Sequence, residues 1–118
     1  MTSAMQRMRH LVGSGMLLGL FCLPSVAHAA DAQPQEFQGA NLMKGQQYYT
    51  DLKCAACHAE RMMGSTSAMY TRPDRKVHNP KQLLAFTQMC VTQLNHDLFP
   101  EEVKDIAAYL NQTYYKFK

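Results

Sequence analysis

Cys54-Ala55-Ala56-Cys57-His58 sets two thiols three residues apart and a histidine directly after the second. C-x-x-C-H is the attachment signature of c-type haem. Each thiol adds to one haem vinyl group and forms a thioether, which leaves the histidine beneath the iron as its proximal ligand. The pentapeptide therefore predicts one covalently bound haem c, held by Cys54 and Cys57, with His58 on the iron. Two other uses of C-x-x-C fit less well. A thioredoxin-type redox pair belongs in a βαβ context, and half a zinc site needs two more ligands at paired spacing. Neither pattern is present in the sequence.

Upstream of the motif the chain carries an address. Arg7, Arg9 and His10 form a basic n-region, Leu11 to Leu23 an apolar stretch, and Ala27-His28-Ala29 an A-x-A cleavage signal. An apolar run of 13 residues is too short to span a bilayer. With these flanks it predicts a secretory signal peptide over 1–29, an uncleaved anchor being the alternative. Phe21 stands where a lipoprotein signal has a small residue, so Cys22 is not read as a lipid site. Export to an oxidising compartment equipped for haem attachment, the periplasm of a Gram-negative bacterium, is the expected localisation. The formal charge of the 118-residue chain, +3, falls to +1 once Arg7 and Arg9 are removed. Its Lys and Arg are scattered, so no nucleic-acid partner is expected, and a membrane is met only through transient partners.

The remainder is long enough for one small domain, and a domain of that size often needs a staple, which covalent haem supplies. Residues 30–39 are polar and contain Pro34, a flexible leader ahead of a domain at 40–118. Asn41 suits the cap of a helix running to about Lys53, with Leu42, Gly45, Tyr48, Tyr49 and Leu52 on its inner side. Ala59 to Met69, rich in Met, Ser and Gly, reads as a loop over the haem edge. Turns are expected at 71–76 and at Asn79-Pro80. Lys81 to about Leu94 has the apolar spacing of a short amphipathic helix, broken by Asn95-His96-Asp97. The last helix is the clearest. Pro100 suits the first turn, Glu101 and Glu102 suit the positive helix start, and Val103, Ile106, Ala107, Leu110 and Tyr114 form one apolar stripe.

Gly45-Gln-Gln-Tyr-Tyr49, the haem motif and Leu98-Phe-Pro-Glu-Glu-Val-Lys-Asp-Ile-Ala-Ala-Tyr-Leu110 together resemble a class I cytochrome c. The resemblance implies a small all-α fold of three to four helices around one haem. It also implies that Gly45 and Tyr49 meet Tyr109 and Leu110 where the first and last helices cross. Two departures stand out. Ala59-Glu60-Arg61-Met62-Met63-Gly64 follows His58, where the family has a Gly and then a Pro whose carbonyl orients the histidine. The usual Met-Pro before the last helix is also absent. The partner of His58 and the distal ligand therefore stay open.

Met89 is the first candidate for the distal position and stands where the resemblance implies an axial methionine. A thioether there raises the potential and makes a stable electron carrier. Cys90 is the second candidate. It is an unpaired cysteine in an oxidising compartment, and the resemblance extends to sulfur-metabolising haem families with a ligating cysteine before the final helix. An intermolecular disulfide and an inert buried thiol are its other fates. Met69 and His96 are further candidates, with Met62, Met63 and His78 behind them. The expected function is single-electron transfer between periplasmic redox proteins, a carrier rather than an enzyme, steered by Lys44, Lys53, Arg61, Arg72, Arg75 and Lys76 if these surround the haem edge. The alternatives are a haem subunit of a sulfur-compound-oxidising enzyme with Cys90 on the iron, and a haem protein binding a diatomic gas.

Overall fold

The computed structural model describes residues 33–118, so the signal peptide expected at 1–29 and Cys22 lie outside the described residues. Every regular element among the described residues is helical. A 3-10 turn, Gln35–Phe37, is followed by α1 (Leu42–Asp51), α2 (Cys54–Arg61), α3 (Ala68–Thr71), α4 (Pro80–Gln93) and α5 (Pro100–Leu110), and a π turn, Asn111–Tyr115, continues α5. The all-α class is as expected, with five α-helices in place of three to four. No helix among the described residues is long and apolar enough to cross a membrane.

Local chemistry sets the helix ends. Asn41 Oδ1 accepts from the Lys44 N–H at 3.0 Å and Asn79 Oδ1 from the Gln82 N–H at 2.9 Å, each satisfying a donor that the first turn leaves unpaired. Pro80 and Pro100 sit where a missing N–H costs nothing. Asn95 closes α4 with a left-handed backbone, φ +56°. The Asn95 N–H then reaches the Thr92 carbonyl at 3.1 Å and the His96 N–H the Val91 carbonyl at 3.1 Å, a Schellman motif.

The helices close on one another at Gly45. A Cβ built there would lie 2.0 Å from the Asp105 carbonyl oxygen and 2.5 Å from its carbon. The obstacle is backbone, so no rotamer change relieves it. Around this crossing Tyr49 packs on Tyr109 with ring centroids 5.6 Å apart. The resemblance implied Tyr109 and Leu110 as the contact; Gly45 itself meets α5 about a turn earlier, at Asp105 and Ile106. Two hydrogen bonds reinforce the crossing. The Asn41 N–H donates to Asp105 Oδ1 at 2.7 Å, and the Tyr48 hydroxyl donates to Glu102 Oε1 at 2.8 Å. Val103, Ile106, Ala107 and Leu110 are buried along the expected stripe of α5.

Three local features differ from expectation. Phe37, inside the stretch read as a flexible leader, is 0% exposed and belongs to the core, because a lone aromatic in a polar segment still gains from burial. Helix α2 extends through Ala59-Glu60-Arg61, so the loop expected from Ala59 begins only at Met62, and α3 interrupts it again. Tyr115 rather than Tyr114 is the buried tyrosine after α5, since the wider π turn advances the inward position by one.

Gly45→Ala should destabilise the fold by about 3 kcal/mol, the upper end for overpacking, because two helix backbones must part. Urea unfolding of the variant measures this, and an unchanged midpoint would contradict the crossing. A second prediction concerns acid. The Phe99 N–H and then the Tyr48 hydroxyl hold the Glu102 carboxyl below its ordinary value of 4.5. Its contribution is therefore complete above pH 4.5 and is lost as pH falls through the lower folded value. Glu102→Gln, which keeps the acceptor without the charge, should flatten that part of the stability–pH curve in melting experiments.

Candidate haem site

The geometry begins with the turn into α2. After α1 ends, Lys53 takes a left-handed conformation, φ +54°, and the chain re-enters a helix at Cys54. Helical spacing then does the rest. Cys54, Cys57 and His58 stand at i, i+3 and i+4, which puts two thiols and an imidazole on one face. All three open onto the same cavity, of about 540 Å³. That volume is within the usual range for a ligand site, about 300–1,000 Å³.

Helix α4 forms the facing wall with Leu83, Phe86, Met89 and Cys90, and α5 adds Ile106 and Leu110. Both leading distal candidates thus reach the cavity, as do Met62, Met69 and His96. Met63 is fully exposed, and neither it nor His78 lines the cavity. The two neighbours on α4 differ. Met89 is 44% exposed, whereas Cys90 is half-buried, three residues on from buried Thr87 and next to buried Val91. Of the basic residues expected at the edge, Arg61, Arg72, Arg75 and Lys76 line the cavity, and Lys44 and Lys53 do not. Arg72 is paired with Asp74.

These residues fit a haem. Porphyrin nitrogens fill four positions on an iron, so the protein need supply only one or two ligands, and His58 plus one side chain of the far wall suffices. The wall is mostly apolar, which suits the faces of the macrocycle. Burial, and then the nearby Arg61 charge, push the His58 pKa down, which favours the neutral imidazole that ligates metals.

One residue of the site carried no sequence signal. Tyr70, on the four-residue α3, is 3% exposed and its hydroxyl is hydrogen-bonded to His58 Nδ1. The same hydroxyl meets the Tyr49 hydroxyl at 3.1 Å. Its ring stacks on Tyr114 at 4.8 Å and 24° and meets the edge of Tyr115 at 5.8 Å. Burial, then the bond to Tyr49, raise the Tyr70 pKa strongly, and it stays a neutral phenol. Arg75 completes the cluster. It donates to the Tyr70 carbonyl at 3.0 Å and lies over the rings of Tyr115 and Phe117 at 5.1 and 5.7 Å. The aromatic tail, Tyr114 to Phe117, is largely engaged with its own chain. Asn111 fixes its end through hydrogen bonds with the N–H and carbonyl of Phe117 at 2.9 and 3.2 Å.

Cys54, Cys57 and Cys90 are free thiols in the structure. Burial raises the pKa of Cys54 and of Cys90, and neighbouring thiols on the cavity wall add to it. Thiolate is the nucleophile, so both should be alkylated by iodoacetamide at pH 8 more slowly in the folded chain without cofactor than after urea denaturation. Peptide mass spectrometry measures the two rates; equal rates would show that the wall is open. Among protein-family models, curated proteins and solved structures, none matches this chain.

Proposed function

We propose that the chain is a class I-type monohaem cytochrome c that carries single electrons between redox proteins of the periplasm. One observation supports this above the others: the two thiols and the imidazole of the C-x-x-C-H motif share one face of α2 and open together onto an apolar cavity. The Cys54 and Cys57 thiols would hold the haem, each adding S–H across a vinyl C=C, sulfur to one carbon and hydrogen to the other, so attachment would consume neither oxidant nor reductant. His58 would ligate through Nε2, since its Nδ1 is hydrogen-bonded to the Tyr70 hydroxyl. Bound haem supplies a ferric/ferrous one-electron couple. The apolar residues of α4 and α5 exclude water from it, which limits reorganisation when charge changes. Arg61, Arg75 and Lys76 give the mouth a positive rim suited to small, transient contacts with acidic partners.

Met89 and Cys90 are the competing distal ligands. A methionine thioether suits the carrier. The deeper seat of Cys90 favours a second reading, a thiolate-ligated haem subunit in sulfur-compound oxidation, with a lowered potential.

Expression with a haem-attachment system should give a chain whose mass includes one haem, and Cys54→Ala/Cys57→Ala should abolish covalent attachment. A redox titration should follow a single reversible one-electron couple; its absence would refute the carrier. Optical absorption and electron paramagnetic resonance then separate the ligands. A sulfur-to-iron charge-transfer band lost in Met89→Ala identifies the thioether. A low-spin thiolate spectrum lost in Cys90→Ala supports the second reading.

A further inference from the structure

We propose that Tyr70 is the positioning residue of the proximal histidine, a side-chain phenol acting on His58 Nδ1. The inference rests on the haem reading above and goes beyond it.

The hydroxyl of Tyr70 is hydrogen-bonded to His58 Nδ1 and comes from a different element, twelve residues along the chain. With Nε2 turned to the iron, Nδ1 carries the proton and donates to the phenol oxygen, so the bond fixes both tautomer and ring plane. The phenol is itself held on every side. Tyr49 meets its hydroxyl at 3.1 Å, Tyr114 stacks on its ring, Tyr115 packs against its edge, and Arg75 binds its carbonyl. A surface tyrosine swings about two torsions; this one is 3% exposed and cannot. The four residues that confine it come from α1, the π turn and the segment after α3. The orientation of His58 is thereby tied to the packing of the whole domain.

The consequence for the iron follows from the donor strength of the imidazole. An acceptor on Nδ1–H makes the ring a better electron donor at Nε2, which stabilises the ferric state. Removing the acceptor should shift the potential upward. It should also expose Nδ1–H to solvent exchange.

The test is Tyr70→Phe in the haem-loaded protein, which keeps the ring between Tyr114 and Tyr115 and deletes only the hydroxyl. Haem content by mass is measured first, then the reduction potential by spectroelectrochemistry and Nδ1–H exchange by proton NMR. We expect full haem content, a higher potential than wild type, and exchange faster by about tenfold, the loss of one net hydrogen bond. Tyr49→Phe leaves the Tyr70 hydroxyl in place but no longer held, and should move both readouts in the same direction by less. A purely structural role moves neither. Haem-loaded Tyr70→Phe with wild-type potential and exchange overturns the assignment and leaves the haem reading intact. Should that variant not fold, an unchanged potential in Tyr49→Phe overturns it instead. A wild-type chain that takes up no haem overturns both.

Discussion

The contact between Gly45 and the backbone of Asp105 is the constraint from which the site descends. Only a residue without Cβ lets α1 and α5 approach this closely. Tyr49, one turn after Gly45, then lies on the same face and is driven into the core, 7% exposed. Its hydroxyl meets Tyr70, and the Tyr70 hydroxyl meets His58. A helix crossing made for packing therefore also sets the plane of an imidazole on a third helix. The Asp105 and Glu102 carboxylates brace the crossing by accepting from the Asn41 N–H and the Tyr48 hydroxyl, and those bonds stabilise it without defining it.

Much of this was legible in the sequence wherever a pattern repeats or a turn chemistry is specific. Asn41, Asn79 and Pro100 mark helix starts because each meets a defined need of an unpaired first turn. The stripe on α5 repeats long enough to fix its buried face. The C-x-x-C-H motif is legible for a different reason: thiol and imidazole chemistry dictate the spacing. The structure adds that this spacing is itself helical, so that one face of α2 presents all three groups.

What escaped are single residues whose role depends on distant partners. Helix α3 spans four residues, too few for any periodicity, and Tyr70 looks like one tyrosine among small polar neighbours. Its burial comes from Tyr49, Tyr114 and Tyr115, none of them adjacent in sequence. Phe37 was hidden in a polar stretch in the same way. The exchange of Tyr114 for Tyr115 follows from a π turn, and no residue pattern in Asn111–Tyr115 distinguishes that from a continued α-helix. A histidine partner supplied by backbone would sit near the motif in sequence. A partner supplied by a side chain can come from anywhere.

The cavity is also an argument about stability. Native interiors are packed to the density of organic crystals, with few voids larger than a water molecule. Here a cleft of about 540 Å³ adjoins the core, with buried Leu83, Ile106 and Leu110 and half-buried Phe86 among its lining. A domain this small has little apolar surface in reserve, and Phe86 and Met89 on the cleft wall stay partly exposed. A flat apolar group in the cleft would cover these side chains, and tethering it through Cys54 and Cys57 would make its association intramolecular. Cofactor and core would then be the same object. On the proposed haem reading, the histidine that would ligate the group and the tyrosine bonded to it belong to one packing problem, and the ligand field of the iron would depend on a contact as remote as Gly45.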